Sequence, residues 1–140
     1  MNMASHCIDI GKSDLAIFYC DRVLAVDTDM VTANVYRAYA LQARGRFDDA
    51  VRECQHIIAR YPGNADASAL LGSMYESGQG VVRDLVQADF WFIAAAASGD
   101  STDRENQFLV ERKMTRVDIN QARMLAQEWI EKHKFSMPVR

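Results

Sequence analysis

The chain has 140 residues, 49% of them apolar and 25% charged, with a formal net charge of −3 at pH 7. That is the length of one domain, and the apolar share argues against wholesale disorder. Acidic and basic residues are interleaved, without the Lys and Arg clustering that a phosphate backbone would ask for, so nucleic acid is disfavoured as a partner. The longest apolar run, Phe90 to Ala97, falls far short of the ~20 residues a membrane span needs, and no membrane insertion is expected. Asp9, Lys12 and Asp14 interrupt the N-terminal stretch, which predicts no secretory leader. Cys7, Cys20 and Cys54 are odd in number and form no C-x-x-C, so they read as reduced core residues. A cytoplasmic protein is the expectation.

Only Pro62 and Pro138 interrupt the chain and strand-like alternation is scarce, so the expected fold is all-α. Residues 1–30 read as a partial first unit whose opening helix is only about two turns. Either the chain begins with a partial repeat, or residues precede Met1. The second unit, 31–64, has a helix over about Val31 to Ala43, a turn at Gly45, and a second helix. In that second helix Phe47, Ala50, Val51, Cys54, Ile57, Ile58 and Tyr61 share one stripe, while Arg52, Glu53, Gln55, His56 and Arg60 face away. Asp48 and Asp49 sit where negative charge suits a helix start, and Pro62-Gly63-Asn64 ends the unit.

The third unit, 65–100, places Leu71, Gly72 and Tyr75 where a packing leucine, a close helix approach and an aromatic filler are needed. A longer turn from Gly78 to Asp84 follows, then a helix with Ala88, Trp91, Phe92 and Ala95 on one face. Residues 101–134 form a shorter capping hairpin. Thr102 with Glu105, and Thr115 with Asp118, have the spacing of capping boxes. Its last helix, about Arg116 to His133, turns Ile119, Ala122, Leu125, Ala126, Trp129 and Ile130 inward. Residues 135–140 are a tail.

The first two units repeat. Gly11 and Gly45, Ala16 and Ala50, Cys20 and Cys54, and Val23 and Ile57 are each 34 positions apart, the tetratricopeptide period. The stretch Val31 to Asn64 resembles a tetratricopeptide repeat at Ala33, Ala38, Leu41, Gly45, Phe47, Asp48, Ala50, Val51, Pro62 and Asn64. It departs from that pattern at Asn34 and Arg37, where the family usually has tryptophan and leucine. Ala65 to Asp100 resembles a Sel-one-like repeat at Leu71, Gly72, Tyr75, Gly78, Gly80, Val81, Asp84, Ala88, Trp91, Ala95 and Gly99. The segment from Lys113 to Trp129 is similar to the helix that closes such arrays. The resemblance covers nearly the whole chain. It implies a short right-handed α-solenoid of three to four stacked helix hairpins, used for protein–protein contacts and without enzymatic activity.

The residues agree with that implication. His6, His56 and His133 fall in different units and should not converge, since each repeat contacts mostly its neighbours. His6 beside Cys7 lacks further ligands at useful spacing. No catalytic residue, metal site or cofactor is therefore expected. Cys20 and Cys54, in equivalent positions about one helix spacing (~8–10 Å) apart, are expected to fill the same core slot twice rather than form a disulfide.

By resemblance, a concave groove would be lined by Thr32, Val35, Tyr39, Gln42 and Ala43, and by Asp66, Ala69, Ser73, Glu76 and Ser77. Tyr39 is its best anchor, being aromatic with a polar tip. The alternative is a solvated face with no dedicated ligand. A second apolar stripe, Val86, Phe90, Ile93 and Ala97, lies on the side of its helix roughly opposite Trp91. Either the last helix or the tail residues Phe135, Met137 and Val139 cover it, or it is a contact patch for a partner or a second copy. The expected function is a non-catalytic interaction module, a scaffold or adaptor binding a peptide or protein on the concave face. An inhibitory, immunity-type partner that occludes an enzyme, or a self-associating structural module, are the alternatives.

Overall fold

A computed structural model describes residues 17–22, 31–97 and 101–133, with the side chains of residues 101 and 102 excepted. The Gly11, Ala16 and Val23 positions of the first unit, His6, Cys7, the Thr102 side chain, Gly99 and the tail 135–140 lie outside the described residues. Within them all regular structure is helical. Residues 17–22 are followed by α1 (Val31–Ala43), α2 (Phe47–Arg60), α3 (Ala65–Ser77), α4 (Leu85–Ala96), α5 (Ser101–Glu111) and α6 (Arg116–His133).

Local chemistry sets the ends of these helices. Asp48 and Asp49 in the first turn of α2 and Arg60 in its last turn complement the helix dipole. The Asn64 side chain accepts from the Ala67 N–H at 2.9 Å and caps α3. Asp84 does the same for α4, its Oδ1 accepting from Val86 and Gln87 at 3.0 and 3.2 Å. Thr115 Oγ1 accepts from the Asp118 N–H at 3.1 Å, the threonine arm of the capping box at the start of α6.

The predicted stripe of α2 is inside: Ala50, Val51, Cys54, Ile57 and Ile58 are buried. Tyr61, placed at the end of that stripe, is exposed. Ile17, Leu41, Leu70, Leu71 and Met74 join the stripe in one core. A smaller cluster of Ala88, Phe92 and Val110 ties α4 to α5, with Tyr75, Leu85 and Met114 against it. Cys20 and Cys54 are both free thiols with no exposed surface. Burial pushes the Cys54 thiol up to about 12 and the Cys20 thiol up to about 11, so neither is a thiolate at neutral pH.

Two glycines set the third unit against its neighbours. A Cβ on Gly72 would sit 3.0 Å from the Phe92 ring and 3.1 Å from the Ala88 carbonyl, so α3 and α4 approach as closely as their backbones allow. Gly80 has φ +77, and a Cβ there would lie 2.7 Å from the Phe47 carbonyl oxygen. The long turn is thus seated on the first residue of α2.

Arg37, at a departure from the repeat pattern, forms ion pairs. Its guanidinium donates to Asp21 at 2.7 Å and to Glu53 at 2.9 Å, linking residues 17–22, α1 and α2. Glu53, expected to face solvent, is instead turned toward this pair. Each helix from α1 to α4 packs on its sequence neighbour. The last two differ: α5 and α6 each pack on α4 and make few contacts with each other.

Candidate functional site

The predicted groove positions differ in exposure. Thr32 and Asp66 are exposed, but Val35 is buried in the core, where its branched side chain packs with the α2 stripe. Tyr39 is half-buried against the same core. Burial, then the nearby Asp66, Cys54 and Asp103, push its hydroxyl up to about 12, so it stays a neutral phenol. The remaining polar groups there have partners within the chain. Gln42 donates to Gln79 at 3.2 Å, the Ser73 hydroxyl to the Leu70 carbonyl at 2.8 Å, and Lys113 pairs with Glu76 at 2.8 Å.

The second predicted stripe divides. Val86 and Phe90 are half-buried. The Phe90 ring meets Trp91 edge-on at 4.7 Å and Trp129 of α6 at 5.9 Å, and the two tryptophans are 5.3 Å apart. Ile93 and Ala97 are also half-buried, without a ring contact of this kind among the described residues. With Ala96 they floor a cleft of about 660 Å³ between α5 and α6. Phe108 and Ile130 supply its apolar walls, and Arg104, Gln107, Glu111, Arg123, Gln127 and Glu131 its polar rim. Phe108 is 61% exposed, unusual for an aromatic ring on a helix that must pack. The cleft exists because both legs of the last hairpin rest on α4 and stay apart. Its volume lies within the range of ligand-binding pockets.

At the cleft Glu111 is held from several sides. Arg123 donates to both its oxygens, at 3.2 and 2.6 Å, and Gln107 donates at 3.2 Å. Burial works against the Glu111 charge, but the hydrogen bonds from Arg123 and Gln107 outweigh it and hold its carboxyl below the usual range. Behind it lies Asp89 of α4, with no exposed surface and no hydrogen-bond donor to either oxygen. Burial first, then the nearby Glu111, push its carboxyl up to about 8, with Arg123 opposing.

None of Asp89, Glu111 or Arg123 was marked by sequence reasoning. One signal was present: Asp89 is the lone charge in Leu85–Ala96, a helix whose other residues, Gln87 apart, are apolar. The indole N–H of Trp91 is likewise buried without an acceptor. No group of three His, Cys, Asp or Glu side chains suited to a metal occurs among the described residues, and none of their helices is long and apolar enough to cross a membrane. Comparison with family models, with curated proteins and with solved structures finds nothing that matches this chain.

Proposed function

We propose that this chain is a non-catalytic interaction module, a short right-handed α-solenoid of the tetratricopeptide and Sel-one-like kind that binds a peptide or protein segment. Support for the repeat reading comes from the 34-residue offset and from Gly72, which packs where the repeat pattern asks for a residue without Cβ. Support for binding comes chiefly from the cleft between α5 and α6: an apolar floor and walls, a polar rim, and helices that hold it open. This shifts the favoured contact surface from the groove around Tyr39 to the last hairpin. Several groove positions are engaged within the chain, whereas Phe108 is exposed and Ile93 and Ala97 line the cleft.

The test is affinity capture from the source cell using three forms of the protein. One is unaltered, one carries Ile93→Ser with Phe108→Ser, and one carries Tyr39→Ala with Gln42→Ala. A partner lost only with the first pair assigns the cleft. A partner lost only with the second pair returns the site to the groove. If nothing is captured and the mass rises with concentration, the protein is a self-associating module and the adaptor reading falls.

A further inference from the structure

We propose that a pocket lined by Tyr75, Trp91, Trp129 and His133 binds a quaternary ammonium group, held by aromatic rings rather than by a carboxylate. The inference goes beyond the interaction-module reading and does not involve the α5–α6 cleft.

The pocket has a volume of about 310 Å³, at the lower end of the roughly 300–1,000 Å³ of ligand sites. Ile58 of α2 and Leu71 of α3 give it aliphatic surface, and the four ring-bearing residues come from α3, α4 and α6. Both tryptophans of the chain are among them. No carboxylate, lysine or arginine lines it among the described residues.

The rings are held in place by their surroundings. Tyr75, Trp91 and Trp129 are partly buried against the main core. The two indoles are 5.3 Å apart with their planes at 76°, and Phe90 braces Trp91 edge-on at 4.7 Å. His133 lies 4.5 Å from Trp129, and its Nδ1 donates to the Trp129 carbonyl at 2.8 Å, which fixes the imidazole beside the indole. Parallel planes suit a flat ligand stacked between them. Walls nearly at right angles suit a rounded one.

The faces of aromatic rings are negative, so a cavity built of them favours a cation. Which cation follows from what the lining lacks. A primary ammonium is a strongly hydrated point charge and gives up its water for an anionic acceptor, and none lines the pocket. A guanidinium is flat and brings five donors to satisfy. A trimethylammonium group is round, has no N–H, and spreads its charge over methyl groups that can pack on Ile58, Leu71 and the rings. Shape, solvation and charge therefore agree on a quaternary nitrogen. It can be carried by a small molecule of the choline type or by a trimethylated lysine side chain.

The test is calorimetric titration of the whole chain with choline, with ethanolamine, and with a neutral isostere of choline that has tert-butyl in place of trimethylammonium. Choline should bind about tenfold more tightly than either, as a desolvated cation–π contact gives. Ethanolamine isolates the methyl groups, and the isostere isolates the charge. Trp129→Leu removes a ring but keeps an apolar side chain, and should weaken choline about tenfold. Trp129→Phe should recover part of that loss. Tyr75→Leu gives the same reading from another helix if circular dichroism shows that Trp129→Leu does not fold. A peptide carrying trimethyllysine separates the two sources, with its unmodified form as control. Tighter binding than choline places the group on a partner segment, and weaker binding places it on a small molecule. Ethanolamine or the isostere binding as tightly as choline overturns the proposal. So does choline binding that neither Trp129→Leu nor Tyr75→Leu changes, and so does the absence of binding by the folded chain at millimolar ligand. The interaction-module reading stands or falls separately, on the capture experiment.

Discussion

Between Val31 and Ala96 each helix packs on its sequence neighbour, and Leu41, Ile57, Leu71 and Met74 are shut away from solvent. Between Ser101 and His133 the two helices lean on α4 and scarcely on each other, and α6 buries only Ala122 and Ala126 completely. Both regions are built of hairpins, the later one less apolar and more charged. The difference is what fills the space between the legs. In the earlier pairs it is side chains and the bare backbone of Gly72; in the last it is an open cleft bridged by Arg123 and Glu111. A helix pair can hold its shape by packing, or it can be held from behind and leave its inner faces for something else.

Three substitutions test this contrast. Leu41→Ala, in the closed region, should cost about 2–5 kcal/mol, the range for a large core residue truncated to a cavity, read as a fall in the urea midpoint. A loss under 1 kcal/mol would mean that the front core is looser than its burial indicates. Asp89 supplies the second. Its folded carboxyl titrates higher than in the unfolded chain, so the folded state holds the extra proton between about pH 4 and pH 8. Its contribution is therefore fully present in acid and is lost as pH rises through about 8. Asp89→Asn should flatten that slope and gain on the unaltered chain by about 4 kcal/mol from pH 5 to pH 8.5. Parallel pH profiles would mean that burial does not raise the Asp89 carboxyl. The smallest effect is expected from Phe108→Ser. An aromatic this exposed should change stability by no more than about 0.5 kcal/mol, and a larger loss would place the ring in the core.

How far the sequence carries this picture depends on whether a feature lies within one helix or between helices. The Cys54, Ile57 and Ile58 stripe and the close approach at Gly72 are legible because helical period and residue size suffice to state them. The cap at Thr115 is legible for the same reason, whereas Asn64, expected only to end the second unit, also caps α3. Arg37 is different: its two carboxylates come from residues 17–22 and from α2, and nothing at position 37 names them. Asp89, Glu111 and Arg123 come from three helices, so their meeting is a property of how α5 and α6 settle on α4. The sequence marked Ile93 and Ala97 as apolar without a family role. It could not give the separation of the last two helices, which turns those residues into the floor of a cleft.

The aromatic seam between α4 and α6 makes the protein its own probe. The chain has two tryptophans, and both lie in this seam, 5.3 Å apart. Tryptophan fluorescence therefore reports the junction that holds the last helix, together with the part of the main core against which both rings pack. Circular dichroism reports every helix in proportion to its length. Followed together through a denaturant titration, the two signals ask whether the molecule comes apart as one body. Coincident curves make the docking of the last helix part of a single cooperative event. A fluorescence change that precedes the loss of ellipticity makes that helix a separately detachable segment, still helical neighbours intact behind it.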